Sequence, residues 1–315
     1  MTDPAADMTE STKNTATAAA NELAEFRSLR SDVWRQFRKH RGAMSGVVIL
    51  VLITAACFLG PVFLPFDVSK PDLTATNQPA GWPHLMGTDN LGRDAFTRAL
   101  LGGRISLLVG FVSMAISIIV GTMIGAIAGY FKSLDWILMW ITDLFLSLPL
   151  LPILLVTVVF FRSPMQDWLG DSLGIFVLMV TIIGATSWMQ TARIVRGEVL
   201  SVKEEEFILA SKSIGTRPRR IIFSHIMPNV LSPVIVSASL GIAVAIITES
   251  AVSFLGLGFP LDIPTWGSLL NDSVPRLSLN VWLTVGSGLL LSLTVLSVNL
   301  IGDGLRDALD PKGRS

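Results

Sequence analysis

The sequence has little charge and almost no cysteine. Charged residues make up 15% of its 315 residues, whereas a soluble domain carries about 25%. Lysine and arginine balance the acidic residues to a formal net charge of zero, which argues against nucleic acid as a partner. The single cysteine, Cys57, cannot form a disulfide within the chain, and its place in an apolar run is typical of an inert buried thiol.

Motifs for nucleotide and metal chemistry are also missing. The sequence has no Walker A motif (GxxxxGK[ST]), so we expect the chain neither to bind nor to hydrolyse ATP. It has no HExxH motif, no metal-ligand spacing in its polar loops and no convincing acid–base pair. His84 has no partner nearby in the sequence, which is more typical of a structural histidine than of a ligand. We therefore expect a chain that is not an enzyme and holds no cofactor or metal.

Long apolar runs are what the sequence has in abundance. Each is near or above the about 20 residues that a helix needs to cross about 30 Å of hydrocarbon. Glycine and proline inside such runs are tolerated, because neighbouring helices can satisfy the freed backbone groups. The pattern predicts an all-α polytopic membrane protein with six transmembrane helices, over Ala43–Leu64, Ile105–Tyr130, Trp136–Phe161, Leu173–Thr191, Val230–Leu255 and Leu279–Ile301.

The basic residues predict the orientation of these helices. Three quarters of the 24 lysines and arginines fall on the side that holds both termini, and this side is expected to be cytoplasmic. The predicted organisation is a cytoplasmic tail over 1–42, a six-helix domain over 43–304 and a second cytoplasmic tail over 305–315. The two long outer loops are then 66–103 and 256–280.

The N-terminal tail contains a possible surface helix. Residues 1–21 have a disordered composition. Apolar residues then recur at helical spacing with basic residues between them, which predicts a basic amphipathic helix on the inner membrane surface; they are Leu23, Phe26, Leu29, Val33, Trp34 and Phe37. The alternative is a simple positively charged anchor. Because the tail has no apolar core of signal-peptide type, the first span is expected to stay uncleaved.

Three features inside the spans predict packing or function. Gly121, Gly125 and Gly129 form a small-residue ridge for close helix packing, either within the chain or at a subunit interface. Pro149 and Pro152 predict a kink in the third span. Glu249 is a carboxylate well inside the fifth span, where it either lines a solute path or holds that helix through a hydrogen bond.

The connection over 193–229 is polar and basic, although it joins two apolar runs. Its pattern predicts two short amphipathic helices, with Phe207, Ile208, Ser211 and Ile214 on one face of the first. Gly215 would end the first helix, Thr216 would cap the second, and Pro228 would end it. The residues alone leave two interpretations, which are a docking element for a soluble partner and a solvated pair of surface helices.

Six residues of this connection match a known motif. Glu206, Ala210, Ser211, Gly215, Ile222 and Pro228 resemble the "EAA" loop of bacterial ABC-importer permeases, which reads E-A-A, three residues, G, nine residues, I-x-L-P. Ser211 replaces the second alanine and Met227 replaces the leucine. Further segments resemble the C-type permease of the dipeptide/oligopeptide/nickel importer family: HLMGTDNLGRD from His84, ESAVSFLGLG from Glu249, PTWG from Pro264 and NLIGDGLRDALDP from Asn299.

The resemblance runs from about residue 30 to the C-terminus and implies a type I ABC-importer permease in the bacterial cytoplasmic (inner) membrane. The implied partners are a homologous B-type permease, two cytosolic ATPases that use ATP, and an extracytoplasmic solute-binding protein. The resemblance implies that the EAA loop residues couple the permease to the ATPases. The outer loops, with Asp89, Arg93, Asp94 and Trp266, would contact the binding protein; the alternative for Gly87–Asp94 is a self-paired structural hairpin.

The solute stays open, since relatives handle dipeptides, oligopeptides, nickel chelates and glycosides. One alternative function is a stand-alone secondary transporter or channel that uses Glu249 and Asp143. Such a carrier needs no loop of the EAA type, and no persuasive internal repeat supports it. A purely structural membrane scaffold is a further alternative, which the two organised outer loops make less attractive.

Overall fold

The computed structural model describes residues 33–64, 66, 71–260, 262–278 and 280–309, and these residues form a helical bundle. Residues 33–39 are helical. The helices that begin within the described ranges are α1 (Arg41–Phe63), α2 (Ala95–Tyr130), α3 (Lys132–Ser147), α4 (Leu150–Leu169), α5 (Asp171–Val202), α6 (Glu206–Ser213), α7 (Pro218–Phe254), α8 (Trp266–Ser273) and α9 (Val281–Leu309).

Six of these helices are long and apolar enough to cross a membrane, namely α1, α2, α4, α5, α7 and α9. The number of spans is therefore as predicted. The third span was placed wrongly, because the chain leaves the helix between α3 and α4 instead of bending within one helix over Trp136–Phe161. Leu148 is extended (φ −81°, ψ 140°). The ring of Pro149 disfavours helical backbone at the preceding residue and removes one N–H from the ladder.

The second span begins at Ala95, ten residues before the predicted Ile105. Asp94 caps its N-terminus, and its side chain accepts a hydrogen bond from the backbone N–H of Thr97 at 2.7 Å. The outer loop therefore ends at Asp94 and not at residue 103. The prediction missed this turn of helix because Arg98 and Arg104 were taken as loop charges, whereas both lie on α2 with acceptors nearby.

The glycine ridge packs α2 against α5 within the chain. A Cβ atom added to Gly125 would stand 2.8 Å from the Cβ of Val195, and one added to Gly129 would stand 2.7 Å from the Cβ of Val199. Close approach of the two backbones therefore requires glycine here. The predicted intramolecular use of the ridge is confirmed.

We call the end of the bundle with residues 203–217 the inner end, and the end with residues 71–94 and 256–280 the outer end. At the inner end, residues 33–40 pack on the last turns of α9, where Phe37 and Ala308 are buried. The helix predicted in the N-terminal tail is observed from Val33 onward; Leu23, Phe26 and Leu29 lie outside the described residues. Helix α9 continues to Leu309, so the predicted C-terminal tail begins as helix.

Candidate functional site

The polar connection at the inner end is shorter than the predicted 193–229. Helix α5 continues through residue 202, and α7 starts at residue 218, which leaves residues 203–217 with α6 inside them. The extra helical turns carry Arg193 and Arg196, whose guanidinium groups pair with Asp143 (2.6 Å) and Asp135 (2.7 Å) of α3. These pairs compensate the charges that made this stretch resemble a loop.

Asp135 and Arg196 form a two-point contact. Arg196 donates from Nε to one carboxylate oxygen at 2.5 Å and from a terminal nitrogen to the other at 2.7 Å. The hydrogen bonding from Arg196, followed by its positive charge, lowers the pKa of Asp135 below the ordinary 3.8, against a smaller opposing effect of burial. The pair fixes α3 to the inner part of α5.

Helix α6 has one buried side chain, that of Ile208. Ile208 is fully buried and packs with Val195 and Val199 of α5 and with Ile221 and Ile226 of α7. Of the residues predicted to share one face of this helix, which are Phe207, Ile208, Ser211 and Ile214, only Ile208 is buried within the described chain. Phe207 is about half exposed and Ile214 is 83% exposed, because α6 lies on the surface of the bundle. Glu206 and Ala210 are also exposed.

Gly215 ends α6, as predicted. Its φ of +74° is in the left-handed region that glycine adopts without strain. Its N–H bonds to the Lys212 carbonyl at 3.0 Å, and the N–H of Thr216 bonds to the Ser211 carbonyl at 3.1 Å, which together make a Schellman cap. Thr216 belongs to this cap and does not cap the next helix, contrary to prediction; the N-cap of α7 is Arg217.

Pro228 does not end the second helix. The helix passes through it because the preceding residues, Ile221–Ile226, are π-helical, with the N–H of Met227 bonded to the Ile222 carbonyl five residues back. This wider turn accommodates a proline ring that would clash in a regular α-helix. The Asn229 side chain donates to the His225 carbonyl at 2.7 Å. The second half of the predicted coupling loop is therefore continuous with the fifth span.

Glu249 lies near the outer end of α7 and is completely buried. Ser106 of α2 donates to its Oε2 at 2.9 Å, and Ser253 donates to its Oε1 at 2.7 Å. The Ser106 hydroxyl in turn accepts from the backbone N–H of Trp266 at the start of α8, at 3.3 Å. Two roles were predicted for Glu249, which are lining a solute path and holding its helix through a hydrogen bond. The geometry favours the second, since these hydrogen bonds join α7 to α2 and α8.

Trp266 fills the space between α2 and α8. Its ring is fully buried, and its indole N–H donates to the Ala99 carbonyl at 3.0 Å. The Thr265 and Ser268 side chains form a capping box that begins α8. The outer loop over 256–280 therefore contains a helix that is fixed to α2.

Asp89 is the centre of an ionic network at the outer end. Its carboxylate accepts from Arg93 Nε at 2.8 Å and from the buried Arg98 of α2, and Arg98 also lies 3.6 Å from Asp272 of α8. Burial alone would raise the pKa of Asp89, but hydrogen bonds from Arg93 and the charges of Arg98 and Arg93 outweigh it and lower that pKa.

His84 has a partner, contrary to prediction. Its Nδ1 lies 2.9 Å from Oδ1 of Asp94, ten residues later, because the turn over Gly87–Asp94 brings the two together. Asp94 pairs with His84 and caps α2, and it does not pair with Arg93 as expected. The Asp89 and Asp94 side chains are almost fully buried, as a self-paired structural hairpin requires. Trp82 and Leu85, on the same loop, are exposed.

Ser106, Arg98 and Asp272 are the residues of these networks that the sequence predictions missed. The available signal was a serine and an arginine inside an apolar helix, since polar groups at such positions need partners. The partner of Ser106 lies 143 residues away, and Arg98 pairs with Asp89 nine residues before it and lies near Asp272, 174 residues after it.

Comparison with known proteins identifies the family. Residues 118–315 match the model of the binding-protein-dependent transport system inner membrane component, and residues 28–80 match the N-terminal TM domain of oligopeptide transport permease C. The chain belongs to this family of inner-membrane transport components. It is a permease subunit of an ABC importer and a multi-pass protein of the bacterial inner membrane.

Individual relatives agree with the family match. The chain is 39% identical to the dipeptide transport system permease protein DppC of Bacillus subtilis, over 91% of this chain and 87% of that protein. It is 40% identical to the oligopeptide transport system permease protein OppC of Haemophilus influenzae, over 92% of this chain and 91% of that one. These relatives are transport subunits and not enzymes, and they do not favour a stand-alone carrier or channel.

The fold matches a solved importer. An inward-facing structure of the MetNI methionine ABC transporter superposes with a TM-score of 0.54 at 18% identity, covering 67% of this chain and 96% of that chain. At this identity the match establishes the fold alone, which is the type I permease fold that the sequence predicted.

Proposed function

We propose that this chain is the C-type permease of an importer for peptides or a related small solute. The observation that carries the proposal is the 39–40% identity to dipeptide and oligopeptide permeases over about nine tenths of the chain. A homologous B-type permease completes the pathway, two ATPases bind at the inner end, and an extracytoplasmic binding protein delivers the solute. Both termini and residues 203–217 then face the cytoplasm.

The exposed side chains of α6 support its role as the ATPase-coupling element. Phe207, Leu209 and Ile214 leave apolar surface uncovered beside the exposed basic residues of the α7 start, which are Arg217, Arg219 and Arg220. Exposed apolar side chains near polar ones are typical of a protein-binding surface. The small residues Ala210 and Gly215 allow a partner to approach the α6 backbone closely.

The way in which α6 is attached supports transmission of movement. Ile208 packs against both α5 and α7, and only four residues separate the end of α6 from the start of α7. Helix α7 then continues to Glu249 at the outer end. A displacement of α6 by an ATPase is therefore passed to two spanning helices, because close-packed interiors shift as units.

The outer end supports a contact with the binding protein, but through residues other than those first expected. Asp89, Asp94 and Trp266 are buried, so their role is to hold the outer loop in shape. The exposed Trp82, at 90% exposure, and Leu85 are the side chains of this loop that a delivered partner meets.

Reconstitution tests this function directly. The chain would be co-expressed with the second permease and the ATPases encoded beside it, inserted in proteoliposomes and supplied with the neighbouring binding protein. Uptake of radiolabelled tri-alanine should require ATP and should stop when the Walker A lysine of the ATPases is replaced. Uptake that continues without the ATPases, driven by an ion gradient, would instead establish a secondary carrier.

A further inference from the structure

An open cavity of about 450 Å³ lies on the face of the spanning bundle, on the inner side of Glu249 along α7, and several of its lining residues, Gln190 among them, are exposed. Its walls come from α2, α4, α5 and α7 and from the last turn of α3. The volume is within the range of about 300–1,000 Å³ that small-molecule sites occupy. The cavity is separate from the α6 surface and from the outer ionic network.

The polar groups of the cavity are uncharged. They come from α5 and α7, and none of the described residues that line the cavity carries a formal charge; the polar lining residues are Thr186, Ser187, Gln190, Thr191 and Ser237. The hydroxyls of Thr186 and Ser187 donate to carbonyls of their own helix, at 2.8 and 2.7 Å, which leaves their oxygen lone pairs free to accept.

Three of these groups have no hydrogen-bond partner among the described residues. The Thr191 hydroxyl is nearly completely buried and unpaired, and neither the Gln190 amide nor the Ser237 hydroxyl makes a bond within the described chain. All three lie on helices that are apolar enough to span a membrane. An unpaired amide or hydroxyl in hydrocarbon costs several kcal/mol by transfer data. Water, a solute or another subunit must therefore supply the missing bonds of Gln190, which is exposed, and of Ser237, which is half-buried, whereas the Thr191 oxygen has almost no accessible surface.

The backbone beside the cavity also indicates that water, a solute or protein fills this space. The chain leaves the helix at Leu148 and Pro149, both within an apolar stretch, and Leu148 and Leu150 line the cavity. No side chain caps the first turn of α4. Irregular backbone at membrane depth occurs where it is covered by protein or lines a water-filled space.

We propose that this cavity is a solute site of the transport pathway and that it binds the amide groups of a peptide. The Gln190 side chain carries a donor and an acceptor, so it pairs with a peptide bond whatever the neighbouring side chains are. Ser237, across the cavity on α7, adds a second uncharged bond. Apolar walls, including Met114, Phe145 and Leu240, contact the side chains of the solute. This inference rests on the proposed function as a peptide importer.

The lone cysteine makes the proposal directly testable. Cys57 is buried, so the assembled transporter should not react with a water-soluble, membrane-impermeant thiol reagent. Gln190→Cys and Ser237→Cys would each add one thiol facing the cavity. Ser239→Cys is the matched control, because Ser239 lies two residues further along α7, away from the cavity lining, with its hydroxyl bonded to the Ile235 carbonyl.

Reagent added from the α6 side of reconstituted membranes should label Gln190→Cys and Ser237→Cys but not Ser239→Cys, and tri-alanine should slow that labelling. Unlabelled Gln190→Cys would mean that a partner helix or lipid fills the cavity, and labelling insensitive to tri-alanine would mean a water-filled space only. Either result overturns the proposal.

Uptake supplies a second measurement. Gln190→Leu removes one hydrogen bond at similar volume and should reduce tri-alanine uptake by roughly two- to tenfold at low solute concentration. Normal uptake by this variant would also overturn the proposal. A wild-type transporter without ATP-driven peptide uptake would refute the proposed function, whereas normal wild-type uptake with an unreactive Gln190→Cys would refute the cavity site alone.

Discussion

The hydroxyl of Ser106 and the carboxylate of Glu249 are joined by a 2.9 Å hydrogen bond across 143 residues of sequence. The bond ties the outer part of α7 to α2, and Trp266 extends the link to α8 through its backbone N–H. The inner part of α7 is in contact with α6 through Ile208. One helix thus connects the α6 surface with a hydrogen-bonded centre at the outer end.

Replacing Glu249 should weaken the folded bundle. Glu249→Ala leaves the Ser106 and Ser253 hydroxyls without their acceptor and opens a cavity, so we expect a loss of about 2–4 kcal/mol. Glu249→Gln keeps one carbonyl acceptor and the volume and should lose less. Thermal unfolding of the purified transporter measures both. If Glu249→Gln is stable but uptake falls, the residue has a transport role as well; unchanged uptake and stability in both variants would make the site incidental.

Gly215 should be sensitive to any side chain. Alanine in its left-handed conformation costs roughly 1–2 kcal/mol, so Gly215→Ala should loosen the end of α6. Gly197→Ala is the control, because Gly197 is an exposed glycine of α5 with no atom within 4 Å of an added Cβ, and alanine there should be neutral or stabilising.

A larger substitution at the same position tests coupling. Gly215→Arg should abolish uptake and reduce co-purification of the ATPases while membrane insertion stays normal, because its bulk keeps a partner away from α6. The coupling assignment would be refuted by normal uptake together with normal ATPase binding in this variant.

Gly125 should tolerate no side chain, because a Cβ there would meet α5. Gly125→Ala places that atom 2.8 Å from the Val195 Cβ, so we expect a loss of about 1–3 kcal/mol. Gly288→Ala on α9 is the control, since its Cβ would have only an ordinary 3.7 Å contact with Leu270. Thermal midpoints of the two variants should differ clearly, and equal midpoints would contradict the close packing of α2 and α5.

Asp89→Asn should destabilise the outer end, because it removes the carboxylate that compensates the buried Arg98. Breaking a buried ion pair by loss of one partner costs about 3–5 kcal/mol. Limited proteolysis of the outer loop measures the effect. Asp72→Asn is the control, since Asp72 is an exposed aspartate whose side chain accepts hydrogen bonds from the nearby Thr74. Equal proteolysis rates for the two variants would contradict the central role of Asp89.

The same residue predicts a pH dependence. Because the folded-state pKa of Asp89 is below the ordinary 3.8, its stabilisation is fully present above that value and is lost as the pH falls through the lowered pKa. Proteolysis of the wild-type outer loop should therefore be unchanged between about pH 5 and pH 7. A marked increase within that interval would mean that another group controls the loop.

The sequence was sufficient for the number of spans, the glycine ridge and the end of α6, because each depends on local pattern: run length, small residues at fixed spacing and a glycine in a left-handed turn. It was insufficient where a residue's structure depends on partners far away in the sequence. Arg98 and Arg104 look like loop residues until their acceptors on other segments are known. Pro228 looks like a helix end until the π-helical turn before it is seen, and His84 looks isolated until the hairpin brings Asp94 beside it.

Helix α7 is 37 residues long, yet its apolar run begins only at Val230. The twelve residues before Val230 extend the helix by about 18 Å beyond that run at 1.5 Å per residue. Ile208 of α6 packs on Ile221 and Ile226 of this extension, so the α6 surface lies beside the extension and not beside the apolar run. A soluble protein bound there would contact the extension, and its affinity for the permease should therefore depend little on the charge of the lipids.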